Sequence, residues 1–177
     1  MPIPEKNKKL TIDEFLKISE NSTERMELMD GEIVAMASPS RIHQRISSRM
    51  YGIIDAYVRN GLCEVLQAVD AKLQEDIVIP DLMVVCDPSK LDDNRCNGVP
   101  DWIVEILSTN RDDDLVRKYR IYKYAGVREY WIVDPKNQKT LVYFFEKNDF
   151  PNIYTFDTPI PVEIYNKKLK ITISELL

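Results

Sequence analysis

Two acidic residues stand where the surrounding sequence is otherwise apolar. Glu105 lies inside the stretch WIVEIL, and Asp81 begins the apolar segment 81–86 directly after Pro80. Acidic side chains are almost never fully buried without a partner, because an unpaired ionised carboxylate is poorly solvated there. Two carboxylates on neighbouring strands form an oxygen-rich site suited to Mg²⁺ or Mn²⁺. The pair therefore predicts a divalent-metal site with Asp81 and Glu105 as ligands.

Each acid also has an ordinary structural explanation. Glu105 is then a core residue that is salt-bridged to an arginine, and Asp81 caps a strand after a turn. Their occurrence together favours the metal site over two unrelated structural roles.

Lys118 is the third residue that departs from its surroundings. It lies beside Leu115 and Tyr122 at the edge of the apolar stripe of a predicted helix. From there its ammonium group reaches the two carboxylates, where it positions an attacking water or stabilises charge developing on phosphorus. The alternative is snorkelling, in which the stem packs on the protein and the charge stays in water.

Two further residues are candidates for supporting roles. His43 is the only histidine of the chain, and it either orients a water or a phosphate or is a hydrogen-bonded bystander. Glu27 either adds a carboxylate to the site or faces water. The chain has no glycine-rich phosphate loop and no G-x-S-x-G motif, so triphosphate and serine-hydrolase chemistry are excluded.

The elements that must position these residues follow from hydrophobic periodicity and turn signals. Thr11 and Glu14 form the pattern of a capping box, which predicts a helix to about Ser19. Asp30-Gly31 between two short apolar runs predicts a type I′ β-hairpin. A helix is expected over 42–57 and another over 112–125, while strands are expected over 63–73, from 78 onward, and over 81–86, 101–107, 129–133 and 140–145. The strand–helix–strand stretch 101–133 predicts a parallel pair, and segment 87–100 is expected to be a polar connection.

Composition sets the class of the molecule. The chain has 177 residues, 44% hydrophobic residues and a net charge of −5, which predicts one globular domain over 1–177. An acidic chain is not a general DNA coat, although the basic stretches 117–120 and 167–170 are suited to local contact with a phosphate backbone. Most such basic stretches are simply solvated.

The cysteines and the N-terminal sequence favour a cytoplasmic location. Cys63, Cys86 and Cys96 are odd in number and have no C-x-x-C spacing, so free thiols in a reducing compartment are expected. There is no apolar signal-like segment at the start, and no apolar run is long enough to span a bilayer.

Several segments together resemble a known family. They include Pro80-Asp81 and the segment 100–108, and the stretch from Asp114 to Pro135 with Lys118, Tyr122 and Gly126 at four-residue spacing; the segments 27–32 and 39–43 also match. This set resembles a large bacterial family of predicted endonucleases of the Uma type, which is placed in the PD-(D/E)XK, or restriction-endonuclease-like, superfamily.

The resemblance implies an α/β fold with a central mixed β-sheet flanked by helices, preceded by an N-terminal helix and hairpin. It also implies Mg²⁺-dependent hydrolysis of phosphodiester bonds in DNA, with metal ligands at Asp81 and Glu105. One residue departs from the superfamily pattern, because Leu107 replaces the lysine two positions after the acid. In this family the lysine is at the position of Lys118 on the following helix.

The sequence also allows two other functions. A catalytically silent nuclease-fold domain would bind nucleic acid or a protein partner, and a metal-dependent phosphohydrolase would act on small nucleotides. The nuclease requires the carboxylates of Asp81 and Glu105 and the ammonium group of Lys118 to converge within a few ångströms. The aromatic-rich strand 141–145 further predicts a homodimer edge.

Overall fold

The computed structural model describes residues 9–108 and 112–177, with the side chains of 112–114 outside the description. Its α-helices are α1 (Ile12–Ser19), α2 (Arg41–Val58) and α3 (Asp112–Ala125). At the start of α1, the Glu14 amide donates to Thr11 Oγ1 at 3.3 Å and the Thr11 amide donates to Glu14 Oε2 at 2.9 Å. The predicted capping box is therefore confirmed, and the other two helices lie where they were expected.

The β-strands form three sheets. They are β1 (Met26–Met29), β2 (Glu32–Ala35), β3 (Glu64–Gln67), β4 (Asp70–Leu73), β5 (Asp76–Val78), β6 (Leu82–Val85), β7 (Arg95–Asn97), β8 (Trp102–Ile106), β9 (Glu129–Asp134), β10 (Lys139–Phe144), β11 (Asn152–Thr155), β12 (Ile160–Pro161) and β13 (Lys170–Ile171). One sheet has the order β2-β1-β5-β4-β7, the second has the order β11-β10-β9-β8-β6-β3, and β12 pairs with β13.

The six-stranded sheet is mixed and central. Strands β8 and β9 are parallel and joined through α3, whereas the other neighbours in this sheet are antiparallel. The predicted parallel crossover over 101–133 is therefore confirmed. In the β6–β8 pair Leu82 lies opposite Val104, and continuing that register by one residue brings Asp81 opposite Glu105.

Both faces of this sheet are covered. Val84 and Val104 pack with α2 and the C-terminal segment, while Met83 and Ile103 pack on the other face with α3 and the five-stranded sheet. Adjacent residues of a strand point to opposite faces, so a doubly covered strand is apolar throughout. This explains the continuous apolar sequence of β6.

The hairpin of β1 and β2 agrees with the prediction from Asp30-Gly31. These residues have φ of 54° and 79°, the left-handed values that a type I′ turn requires at both central positions. Met29 lies opposite Glu32 across the turn.

Three expectations about strands are wrong. Segment 63–73 is not one strand, because it divides near Ala68, which has a φ of 52°, into β3 and β4 of different sheets. Segment 87–100 is not only a connection, because its strand β7 pairs in parallel with β4. The aromatic strand β10 is not an edge strand, because β11 pairs with it on the side away from β9. An exposed edge at β10 therefore no longer supports the homodimer, which stays a prediction.

The expectation of free thiols is also wrong for two of the three cysteines. Cys63 and Cys86 form a disulfide, while Cys96 is free and buried. The pairing follows from the β3–β6 register, in which Glu64 lies opposite Val85 and the cysteines are the next opposed residues. A cytoplasmic location stays a prediction without support from these thiols. Within the described residues, no helix is long and apolar enough to cross a membrane.

Candidate active site

Asp81 is fixed between the central sheet and α2. Its Oδ2 accepts a hydrogen bond of 2.7 Å from the Ile106 amide of β8. Its Oδ1 lies 3.0 Å from His43 Nε2, so Nε2 is the ring nitrogen that carries a proton toward the carboxylate. His43 comes from the first turn of α2, whose N-cap is Ser40. Both carboxylate oxygens are thus oriented, one by the backbone of β8 and the other by a side chain of α2.

Glu105 is buried on β8, with 4% of its surface exposed. Its Oε1 accepts hydrogen bonds from Lys118 Nζ at 3.0 Å and from the Tyr122 hydroxyl at 2.6 Å. Both donors come from α3, where residues four apart lie on the same face. Glu105 is therefore paired with a lysine and a tyrosine of α3 rather than with an arginine.

Lys118 connects a second carboxylate to the cluster. Its Nζ lies 2.9 Å from Glu27 Oε1, and the same oxygen accepts a hydrogen bond of 2.7 Å from the Ile79 amide. Lys118 is 3% exposed and Glu27 is 2% exposed. The snorkelling alternative for Lys118 and the solvent-facing alternative for Glu27 are therefore both wrong.

Burial and like charge shape the protonation of this cluster. Burial raises the pKa of Glu105, the charges of Asp81 and Glu27 raise it further, and the Lys118 ammonium opposes them. Burial alone would lower the pKa of Lys118, but the charges of Glu105 and Glu27 reverse this and raise it. Lys118 is consequently a cation, and it is shared by two carboxylates beside a third.

A cavity of about 660 Å³ opens beside this cluster. Asp81 and His43 are part of its wall, together with the polar residues Gln44, Ser47 and Gln67. Glu105, Lys118 and Glu27 do not line it; they lie in the buried layer to which Asp81 is joined through Ile106. The five predicted site residues thus form one connected group, with two at the cavity and three behind them.

The donor set determines which metal ion the site suits. Among the described residues, no three histidine, cysteine, aspartate or glutamate side chains are grouped so as to hold a metal ion. Mg²⁺ needs only one or two protein carboxylates, since it retains several waters. Three carboxylates with one ammonium group leave a net negative charge that a divalent cation would offset. The carboxylates of Asp81 and Glu105 are ligands of the kind that Mg²⁺ and Mn²⁺ prefer.

Tyr122 also belongs to this cluster, although it was not among the site residues predicted from the sequence. Its hydroxyl contacts Glu105 and its ring packs edge-on against Tyr130. The available signal was its spacing of four residues after Lys118, which places both side chains on the sheet-facing side of α3.

A mixed central sheet that is covered on both faces is the architecture expected of the restriction-endonuclease-like class. Comparison with known proteins agrees, since residues 12–164 match the model of the Uma2 family, described as "putative restriction endonuclease". The chain belongs to this family, which confirms the resemblance found in the sequence.

Individual proteins are also similar to this chain. Two uncharacterised proteins of Synechocystis sp. are similar: slr1290 is 30% identical over 147 residues, covering 80% of this chain and 76% of its own, and sll1609 is 29% identical over 133 residues, covering 71% and 75%. The crystal structure of a putative nuclease of the DUF820 group from Anabaena variabilis superposes with a TM-score of 0.80 at 22% identity, covering 94% of this chain and 97% of that one. The mixed α/β, restriction-endonuclease-like fold is thereby confirmed.

Proposed function

We propose that this protein is a metal-dependent endonuclease that hydrolyses phosphodiester bonds in DNA, with Asp81 and Glu105 as ligands of Mg²⁺ or Mn²⁺. Membership of the Uma2 family supports the nuclease class. The observation that carries the proposal is the convergence of Glu105 and Lys118 at 3.0 Å, one residue from the amide that holds Asp81. The short distance between Glu105 and Lys118 supports their part in the proposed site, and the backbone of β8 joins Asp81 to them.

Each side chain has a defined task in this proposal. The metal ion would supply Lewis-acid polarisation of the phosphate and a more acidic bound water. Asp81 presents its carboxylate at the cavity, and His43 holds that carboxylate in one orientation through its 3.0 Å contact. Lys118 orients Glu105 and adds positive charge to the buried layer behind Asp81, from where it would stabilise negative charge developing on a phosphate in the cavity. Glu27 fixes Lys118 from the opposite side.

A catalytically silent nuclease-fold domain is the second candidate. Leu107 at the usual lysine position favours it, as does the engagement of the Lys118 ammonium by two buried carboxylates. Such a domain would keep the fold and bind nucleic acid or a protein without hydrolysis. Activity on DNA separates the two candidates, and a parallel assay on mononucleotides tests the small-molecule phosphohydrolase.

The first experiment is calorimetric titration of the protein with Mg²⁺ and Mn²⁺, together with plasmid nicking by the same samples. Asp81→Asn and Glu105→Gln retain the shape of each side chain and remove its charge. Both variants are expected to lose metal binding and nicking together, because each removes one of two protein ligands.

Asp101→Asn is the matched control for these variants. Asp101 lies at the other end of the β6–β8 pair, where its Oδ2 accepts a hydrogen bond of 2.8 Å from the Cys86 amide, much as Asp81 accepts from Ile106. This control should retain metal binding and nicking. A wild-type protein that binds metal without cleaving DNA would support the silent domain, and one that binds no divalent metal would overturn the proposed site.

A further inference from the structure

Two buried tyrosines lie side by side next to Glu105, and their hydroxyl groups are used differently. Tyr122 of α3 and Tyr130 of β9 are both fully buried, and their rings meet edge to face with centroids 5.0 Å apart. The Tyr122 hydroxyl donates to Glu105 Oε1 at 2.6 Å. The Tyr130 hydroxyl has no hydrogen-bond partner in the described part of the chain, although a buried phenol usually finds one. The two side chains thus share one environment and differ in what the hydroxyl group contacts.

The two oxygens of the Glu105 carboxylate are engaged unequally. Oε1 accepts two hydrogen bonds, from the Tyr122 hydroxyl and from Lys118 Nζ at 3.0 Å. Among the residues that the structure describes, Oε2 accepts none. An ionised carboxylate has about four lone-pair sites on its two oxygens, and here both donors from α3 occupy the same oxygen. The acceptor capacity that Glu105 retains therefore lies mainly on Oε2.

Asp81 is the neighbouring carboxylate across the sheet. It comes opposite Glu105 when the β6–β8 register is continued by one residue, and opposed residues of an antiparallel pair have Cβ atoms about 5 Å apart. The oxygens of Asp81 are held by His43 and by the Ile106 amide. Each of the two proposed metal ligands is thus oriented by a side chain of a helix, Asp81 by α2 and Glu105 by α3.

The second donor on Oε1 matters because the last torsion of a glutamate is soft. The χ3 angle of Glu has broad wells, so a single hydrogen bond to Oε1 leaves the carboxylate free to turn about that contact. Lys118 reaches Oε1 with a flexible four-carbon stem, whereas Tyr122 reaches it with a rigid ring that has two side-chain torsions. The ring of Tyr122 is itself held by Tyr130. Two donors on one oxygen fix the plane of the carboxylate and the direction of Oε2.

We infer that Tyr122 is a positioning residue of the metal site: together with Lys118 it holds Oε1 of Glu105 and leaves Oε2 as the oxygen offered to Mg²⁺ or Mn²⁺. This inference rests on the proposed function, in which Glu105 is a metal ligand. Hydrogen bonds from a hydroxyl group to a carboxylate are among the stronger ones. Removing a partner that orients a metal ligand costs about 10–100-fold in metal affinity or activity. Tyr122 acts through Glu105 and is not a catalytic residue.

Tyr122→Phe and Tyr130→Phe form the matched pair of variants that tests this role. Each removes one hydroxyl group from a buried ring of the same aromatic contact, but only Tyr122→Phe removes a hydrogen bond to Glu105. Calorimetric titration with Mn²⁺ is expected to give a Kd about tenfold higher for Tyr122→Phe and an unchanged Kd for Tyr130→Phe. An equal change in both variants, or no change in Tyr122→Phe, would overturn the inference.

Urea unfolding with and without Mn²⁺ separates positioning from packing. Without metal, Tyr122→Phe should have a lower urea midpoint, because it loses a hydrogen bond to a charged group, whereas Tyr130→Phe loses an unpaired hydroxyl and should not. At one Mn²⁺ concentration above the wild-type Kd, the metal should stabilise Tyr122→Phe less than the wild type and Tyr130→Phe, because its Kd is higher. Equal stabilisation of all three proteins by Mn²⁺ would show that Tyr122 has a packing role only.

Plasmid nicking by the same proteins distinguishes this inference from the proposed function. Tyr122→Phe should need about tenfold more Mn²⁺ for half-maximal nicking, with an unchanged KM for plasmid at saturating Mn²⁺. Nicking by the wild type, with Tyr122→Phe equal to Tyr130→Phe in its Mn²⁺ requirement, would refute the positioning role and leave the nuclease standing. Mn²⁺ binding that is weakened only in Tyr122→Phe, without nicking by any of the proteins, would support the positioning role and refute hydrolysis. A wild type that binds no Mn²⁺ would overturn both.

Discussion

Glu129 of β9 is a buried carboxylate that is satisfied differently from Glu105 and Glu27. Those two share the ammonium group of Lys118, whereas Glu129 accepts hydrogen bonds from Trp131 Nε1 at 2.7 Å and from the Ile164 amide at 2.9 Å. Burial raises the pKa of Glu129 to about 7, and these hydrogen bonds oppose the shift only in part. Glu129 thus joins the C-terminal segment to the central sheet through a group that titrates near neutral pH.

The raised pKa of Glu129 makes stability depend on pH. The folded state retains the proton up to about pH 7, whereas the unfolded chain loses it near 4.5, so the free energy of unfolding falls as pH rises through that window. The fall due to this group amounts to about 3 kcal/mol. Urea unfolding of the wild type and of Glu129→Gln from pH 4 to 8 measures it, because the glutamine does not titrate. A stability difference between the two proteins that is constant with pH would contradict the assignment.

At the scale of elements, two glycines show opposite requirements. Gly31 is the second central residue of the β1–β2 turn, has a φ of 79°, and a Cβ there would lie 2.6 Å from Lys9 Cβ. Gly52 lies on the exposed side of α2, and a Cβ there would meet nothing within 4 Å. The hairpin needs its glycine, whereas the helix is weakened by its own.

Alanine substitution at these two positions should therefore change stability in opposite directions. Gly31→Ala is expected to lower the free energy of unfolding by about 1–2 kcal/mol, because alanine is strained in the left-handed region. Gly52→Ala should raise it by about 0.5–1 kcal/mol, because alanine loses less backbone entropy in a helix. Guanidinium denaturation of both variants and the wild type tests this, and a shift of the same sign in both would show that local backbone preference does not decide the outcome.

For the whole molecule, the Cys63–Cys86 disulfide joins two strands of the central sheet that are separated by 23 positions in sequence. Strand β3 is the outer strand of that sheet, and it leads directly into the segment that turns at Ala68 toward the other sheet. A cross-link here constrains the unfolded chain and keeps an outer strand paired with β6.

Removal of this cross-link is expected to destabilise the fold. Cys63→Ala/Cys86→Ala should lower the free energy of unfolding by about 3 kcal/mol, the entropy difference for a loop of this length. Unfolding in guanidinium with and without dithiothreitol measures the effect. The reductant should destabilise the wild type and leave the double variant unchanged; a wild type that is insensitive to reduction would contradict a disulfide in the protein.

Local sequence patterns were enough to identify the residues whose chemistry conflicts with their surroundings and most of the helices and strands that carry them. Glu105 was identified because a carboxylate in an apolar strand needs a partner, and α1, the β1–β2 hairpin and α3 followed from capping, turn and periodicity signals. These properties depend on residues within a few positions of one another. That residues 1–177 form one domain stays a prediction.

Contacts between residues that are distant in sequence became visible only in the folded chain. The sharing of Lys118 by Glu27 and Glu105, the contact of His43 with Asp81, and the pairing of Cys63 with Cys86 join segments far apart in sequence. So does the division of segment 63–73 between two sheets. Such contacts depend on strand order and on the register of neighbouring strands, which a single sequence read locally does not contain. The residues of the site were therefore predictable as candidates, whereas their pairing and protonation depended on the assembled sheet.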